Sequence, residues 1–338
     1  MQNLPRQTNT LEKVSSVKKL ILIASAFTGL VLTQISHAAY PEKSIRLVVP
    51  FATGGTSEIV ARSVANSLST SLGQSVYVDN KPGGAGNIAM EEVKRANPDG
   101  YTLILGHVGT LAVNPALFGS KLPYDSNKDF APVTLVAKVP NVIAVSSKSP
   151  YKTLADLVAD AKKNPGKINY GSAGNGSAGH LAMEYFSAVA GIDLVHVPYK
   201  GSGPMLTDLI GGQIQATFNG LPSLMGQISG GALRPLAVGS SERSKVLPNV
   251  PTIAESGYKG FETSQWYGIM APAGTPKPII DKLQKEIAKS LKNKEDSKRM
   301  LEDGAVLIGD TPEQFAAFIK VEQGRWGKVV EKAGIQVD

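Results

Sequence analysis

The chain has 338 residues, a formal net charge of +7 and no cysteine. Disulfides and thiol-ligated metals are therefore excluded, and stability must rest on a packed core, for which this length is sufficient in two domains. Aromatic residues are only 6% of the chain and no run of Lys or Arg occurs, so nucleic acid is not an expected partner.

Lys13, Lys18 and Lys19 precede an apolar run over residues 20–32, which ends in Ser-His-Ala-Ala. A basic segment, a short apolar stretch and small residues at Ser36 and Ala38 predict a signal peptide over residues 1–38, cut after Ala38. The run falls short of the about 20 apolar residues that span a membrane. The remainder carries a net charge of +4 and no further apolar run of that length. The chain is therefore expected to be exported.

Residues 45–49 read as a buried strand, because Leu47, Val48 and Val49 are apolar without interruption. Gly54 and Gly55 turn the chain, and Thr56 or Ser57 is the candidate cap of a helix over residues 58–71. A strand, a glycine turn and a helix start make an anion site, since free N–H groups and the positive helix end face the same point. A strand over 75–78, a second glycine turn with Gly83, Gly84 and Ala85, and a helix over 88–96 follow. A third strand, 102–105, leads into a glycine-bearing loop over 106–110 with His107, Gly109 and Thr110. Three such units predict a parallel, doubly wound sheet whose loops gather at one edge.

Residues 133–145 are a long β-rich passage. Beyond it come a helix to residue 163 capped by Thr153, a strand over 167–171, and a glycine loop with an amphipathic helix. A strand over 194–197, a helix over 204–210 and strands over 215–218, 233–238 and 266–271 complete the middle. Asn-Gly-Leu-Pro-Ser, from Asn219, follows the strand over 215–218. Thr275 and Pro276 start a helix to about residue 291, and a last helix runs over 312–333. No linker separates two domains, so the middle reads as an insertion with crossings near residues 138–141 and 264–268. The expected domains are residues 39–139 with 266–338, and residues 140–265. The passages LVVPFATGGTSEIVAR and INYGSAGNGSAGHLAMEYF share strand, glycine loop and capped helix. If the halves face each other, two helix starts converge on one cleft, which suits a carboxylate.

Tests for chemistry mostly fail. Residues 174–179 fit Gly-x-Gly-x-x-Gly, but the next strand ends in Val197-Pro198 and offers no acid for a ribose. His180 and Glu184 share a helix face, yet no HExxH pattern, metal site or cofactor site emerges. No Gly-x-Ser-x-Gly elbow is present. Lys200, after a strand, can give a cation to a ligand or stand in solvent. Trp266 and Tyr267 fit packing at the crossing better than cleft lining. The chain offers many ways to hold a molecule and no evident way to change one.

Seven stretches in order, among them YPEKSIRLVVPFATGGTSEIVAR, VYVDNKPGGAGNIA, NYGSAGNGSAGHLAMEYF, HVPYKGSGPMLTDLIGGQIQATF and WYGIMAPAGTP, resemble the Bug-type substrate-binding proteins of tripartite tricarboxylate transporters. The resemblance covers essentially the whole chain after residue 39. It implies a type II periplasmic binding protein-like fold, two doubly wound α/β domains joined by two crossover segments. It also implies closure on a small organic acid held by backbone amides and ordered water, and membrane permease subunits as partners of a monomeric receptor. Matching positions give an expected ligand-binding set of Phe51, Thr53, Gly54, Gly55, Thr56, Ser57, Gly83, Gly84, Ala85, His107, Gly109, Thr110, Ser172, Gly174, Asn175, Gly176, Ser177, His180, Tyr199, Lys200 and Asn219. The family's usual Pro-Gly-Gly and Asp are here Thr53-Gly54-Gly55 and Glu58; an inward Glu58 would repel an anion or take an amino group. Dicarboxylates, aliphatic or aromatic, rank before monocarboxylates and citrate-like acids. A ligand sensor and an exported enzyme are the alternatives.

Overall fold

Strands β1 (Ile45–Val49), β2 (Val76–Asn80) and β3 (Thr102–His107) pair in parallel in the order β2-β1-β3. These come from a computed structural model that describes residues 40–333; the expected signal peptide lies outside the described residues. The chain separates into residues 1–42 and 43–338, and the fold belongs to the second unit. Helix α1 (Thr56–Leu72) joins β1 to β2 and buries Val60, Val64 and Leu68 at helical spacing. Helix α2 (Asn87–Lys94) joins β2 to β3, and a wide turn over Gly109–Val113 leads to the short α3 (Asn114–Phe118).

Strand β4 (Phe130–Ser146) is the spine of the molecule. Up to Pro140 it pairs antiparallel with β9 (Ser264–Pro272), ending at Pro140↔Ser264; from Asn141↔Gly220 it pairs with β7 (Ala216–Gly220). One strand thus serves two lobes and changes partner between adjacent residues. The second lobe adds α4 (Leu154–Lys163), β5 (Asn169–Ser172), α5 (Ala178–Ala190), β6 (Val195–Pro198), α6 (Ser202–Gly211), α7 (Leu221–Ser229) and β8 (Leu233–Val238). Helices α8 (Lys277–Lys292), α9 (Lys294–Glu302) and α10 (Pro312–Ala333), with the two-residue β10 (Val306–Leu307), return to the first lobe. The strand order is β2-β1-β3-β9-β4-β7-β5-β6, with β8 and β10 also on β4. This is a mixed, two-domain α/β fold with helices on both faces.

The period-two pattern of β4 explains how both faces are filled. Ile143 and Val145 enter one core with Tyr170, Phe186, Phe218 and Phe261, while Val142 and Ala144 enter the other with Met205, Leu209 and Leu224. Each such buried large apolar side chain contributes roughly 1.5–3 kcal/mol. In the first lobe Trp266 packs on Phe315 and Phe318 of α10 and donates Nε1–H to Glu322 Oε2 at 2.8 Å.

Helix α4 has the expected cap: Thr153 and Asp156 form a reciprocal capping box. Two local expectations change. Helix α1 begins at Thr56 with Gly55 as its N-cap and no side-chain cap, so neither Thr56 nor Ser57 plays that part. The segment after Gly220 is helix α7, whose Pro222 in the first turn lacks only an N–H that would be unpaired anyway. Helix α8 takes Pro276 as N-cap, with helical residues from Lys277.

Candidate functional site

The βα turns of both lobes meet across the handover of β4. An inner cavity of about 30 Å³ is lined by Phe51, Ala52, Gly55, Thr56, Ser57 and His107 from the first lobe. Ala173, Ser177, Ala178, Ser202 and Asn219 line it from the second, and Gln265 and Tyr267 from β9. Three helix starts converge here, those of α1, α5 and α6. Their first amides have no carbonyl within the helix to pair with, and each helix presents its positive end. The side chains are uncharged, so an anion here is held by dipoles and hydrogen-bond donors.

Two buried polar atoms on this lining have no hydrogen-bond partner: His107 Nε2 and Thr56 Oγ1. The Nδ1 of His107 accepts the Thr110 N–H at 3.0 Å, so the neutral ring carries its proton on Nε2. Burial pushes the His107 pKa down to about 3, which keeps the ring neutral. Its ring lies against Phe51, centroids 4.5 Å apart. The expected loop over 106–110 is instead the end of β3 and the start of the wide turn, and that turn brings the Thr110 amide back onto the ring.

Outside Phe51, Ala52 and Ala173 lies an open groove of about 530 Å³. Pro82, Gly83, Gly84, Ala85 and Gly86 form one wall; Gly174, Asn175, Pro198, Tyr199 and Lys200 form the other. Lys200 is exposed on this wall. Tyr199 donates to Asp208 Oδ2 at 2.6 Å, and burial followed by that carboxylate pushes its pKa up to about 12.

Several expected residues support the site from behind. His180 Nδ1 accepts the Gly176 N–H at 3.2 Å, His180 stacks on His196 at 4.0 Å, and His196 stacks on Tyr170 at 4.9 Å. Ser172 Oγ meets His196 Nε2 at 2.7 Å and accepts the Gly174 N–H at 3.1 Å. Burial lowers His180 to about 3 and His196 to about 4. Thr110 orients His107, and Gly109 lies beside the ring and the Gly176 carbonyl.

Thr53, Gly54 and Gly176 line neither cavity; they lie where the lobes touch. Gly176 has φ +70°, and a Cβ there would stand 2.3 Å from the Ala85 Cβ. Gly201 has φ +99°, and a Cβ there would stand 2.6 Å from the Thr53 carbonyl oxygen. Only glycine permits either approach.

Glu58 does not point into the cavity. Its Oε2 accepts the Gly54 N–H at 2.6 Å, and its Oε1 pairs with Arg62 Nη2 at 2.6 Å. Tyr267 lines the cavity while Trp266 packs behind β9, so the expectation that both pack at the crossing holds only for Trp266. Gln265 and Ser202 were absent from the expected set. Strand alternation puts Gln265 on the face of Tyr267, and Ser202 opens a helix after a glycine, as Thr56 does. Among the described residues no group of His, Asp or Glu is placed to hold a metal, and no helix is long and apolar enough to cross a membrane.

The family model described as the tripartite tricarboxylate transporter family receptor matches residues 60–335. Protein BugT of Bordetella pertussis is 36% identical over 325 residues, covering 95% of this chain and 99% of its own. Among solved structures, R. palustris Rpa4515 with adipate superposes with a TM-score of 0.84 at 39% identity, covering 88% of this chain and 99% of that one. MatC from Rhodopseudomonas palustris with bound malate gives 0.82 at 33% identity, covering 86% and 100%.

Proposed function

We propose a ligand class and a mode of capture for this chain, which belongs to the tripartite tricarboxylate transporter receptor family and is a carboxylate-binding solute receptor. The ligand is an aliphatic or aromatic dicarboxylate. Its first carboxylate is gripped at the inner cavity by the amides of α1, α5 and α6, by His107 Nε2–H and by the Thr56 hydroxyl. The observation that carries this reading is the pair of unpartnered buried polar atoms beside three helix starts. An uncharged, donor-rich pocket stabilises one carboxylate without a buried ion pair. The cavity of about 30 Å³ also suits a bridging water with several polar partners.

The second carboxylate extends past Phe51 and Ala173 into the outer groove, where Lys200 supplies a cation. Rpa4515 with adipate and MatC with malate support acids of this length. Citrate-like acids rank last, because a third charge finds no second cation on the described walls. Capture proceeds by closure of two domains, residues 39–139 with 266–338 against residues 140–265, about the handover in β4. The receptor then delivers its ligand to membrane permease subunits, in the periplasm, after removal of a signal peptide, and performs no catalysis.

A thermal-shift panel tests the reading. Adipate, glutarate, malate, terephthalate, benzoate and citrate are compared at equal concentration. A ligand at a hundred times its dissociation constant adds roughly 2.7 kcal/mol. The dicarboxylates should shift the melting temperature most; a larger shift with citrate or benzoate would overturn the assignment.

A further inference from the structure

The floor of the inner cavity is built from the crossing strands themselves. Asn141 is the first β4 residue that pairs with the second lobe, at Asn141↔Gly220, one residue beyond Pro140↔Ser264. Its side chain reaches back across that junction: Asn141 Oδ1 accepts Gln265 Nε2–H at 2.6 Å. Gln265 Oε1 in turn accepts the Tyr267 hydroxyl. Tyr267 is the register partner of His107 on β3. Asn141, Gln265 and Tyr267 are 1%, 2% and 1% exposed, and Gln265 and Tyr267 line the cavity.

We propose that the Asn141–Gln265–Tyr267 chain is a hinge latch, a set of positioning residues through which occupancy of the inner cavity sets the angle between the lobes. The proposal rests on the carboxylate reading above. A carboxamide offers two N–H donors and a carbonyl acceptor. Gln265 spends one N–H on Asn141 and its oxygen on Tyr267, and its second N–H remains for the cavity. A Cβ at Gly220 would stand 3.0 Å from Gln265 Nε2 and 2.5 Å from the unpartnered Thr56 Oγ1, so both atoms crowd the point where the lobes meet.

Rotation of the second lobe bends β4 at Pro140–Asn141 and swings the Asn141 carboxamide away from Gln265. That leaves a buried donor and a buried acceptor unpaired, which penalises the open arrangement. An acceptor group in the cavity, a carboxylate oxygen or its bridging water, takes the second Gln265 N–H and polarises the whole chain. Binding and hinge angle are then coupled through one amide. The coupling acts mainly on escape of a captured ligand, because the latch is complete only once the lobes have closed.

The test uses the full-length protein without its signal peptide and the tightest binder among aliphatic dicarboxylates of four to six carbons. Stopped-flow rates and small-angle scattering at saturation are measured for wild type, Asn141→Ala, Gln265→Leu and Tyr267→Phe. Asn141→Ala, which removes no donor to the ligand, should raise the dissociation rate about tenfold, leave the association rate within about threefold, and leave the liganded radius of gyration above that of wild type; Gln265→Leu, which also removes a donor to the ligand, should raise dissociation at least as much. Tyr267→Phe spares the Asn141–Gln265 bond and should raise dissociation less. Should Gln265→Leu not fold, the other two variants carry the comparison. Unchanged dissociation and radius in variants of a wild type that binds would remove the latch and leave the receptor reading intact. A wild type that binds none of the series would remove both.

Discussion

Thr110 donates its backbone N–H to Nδ1 of His107 at 3.0 Å. That contact fixes the tautomer: the proton of the neutral ring is on Nε2, an unpartnered buried donor on the cavity lining. His107→Phe, which keeps the ring stack on Phe51, should weaken dicarboxylate binding by one to two orders of magnitude, about 1.4–3 kcal/mol. His107→Asn should retain a larger part of the affinity. Because burial holds the ring's pKa at about 3, affinity should show no histidine inflection between pH 5 and 8. Calorimetry across that range checks both points, and an inflection near pH 6.5 would mean a charged His107 binds the anion.

His180 and His196 predict how the fold responds to acid. Their pKa values in the fold are about 3 and about 4, against 6.5 for an unperturbed ring. Between those limits the unfolded chain binds more protons than the folded one, so stability rises with pH and is lost as pH falls from about 6.5 toward 4. Urea midpoints for wild type should fall through that window. His180→Phe with His196→Phe should reduce the dependence to the part that His107, also at about 3 in the fold, contributes, and an unaltered slope would place its origin elsewhere.

Glu58 ties Gly54 to Arg62, with Oε2 and Oε1 each 2.6 Å from its partner. A carboxylate engaged in this way orders the turn before α1 without meeting the ligand. Glu58→Ala should lower affinity for dicarboxylates and monocarboxylates alike, by roughly threefold to thirtyfold, through a looser turn. A rise in anion affinity on removing the charge would show instead that Glu58 faces the ligand and repels it.

Gly176 and Ala85 test closure. A side chain at Gly176 would overlap Ala85 and strain a φ of +70°. Gly176→Val should therefore hold the lobes apart: the protein folds, yet a saturating dicarboxylate no longer reduces its radius of gyration in X-ray scattering. Normal contraction of the variant would mean that this contact is not part of the closed cleft.

Much of this was legible from local pattern. The uninterrupted apolar runs of Leu47 to Val49 and Val142 to Val145 identify buried strands, because burial on two faces leaves no room for polar residues. The glycine turns before α1 and α5 identify the helix starts, since glycine lets the backbone turn sharply into a helix whose first amides are free. Less legible was anything decided by a distant residue. Glu58 reads as a charge near the ligand until Gly54 and Arg62 are seen to occupy both its oxygens. Gln265 reads as one polar residue in a strand; its part depends on Asn141, 124 positions away, and on Tyr267 two positions on. His180 looks like a candidate ligand in sequence, yet it stacks on His196 behind the glycine loop.

The central claim is that two carboxylates are read, one by uncharged donors at the inner cavity and one near Lys200 in the outer groove. Isothermal titration calorimetry with adipate and with its monoamide, for wild type and Lys200→Met, tests this directly. Wild type should lose one to two orders of magnitude in affinity on going from adipate to the monoamide, about 1.5–3 kcal/mol for a charged hydrogen-bonded group. In Lys200→Met that gap should shrink severalfold, since the cation that distinguishes the two ligands is gone. Equal affinity of wild type for adipate and its monoamide would contradict the claim.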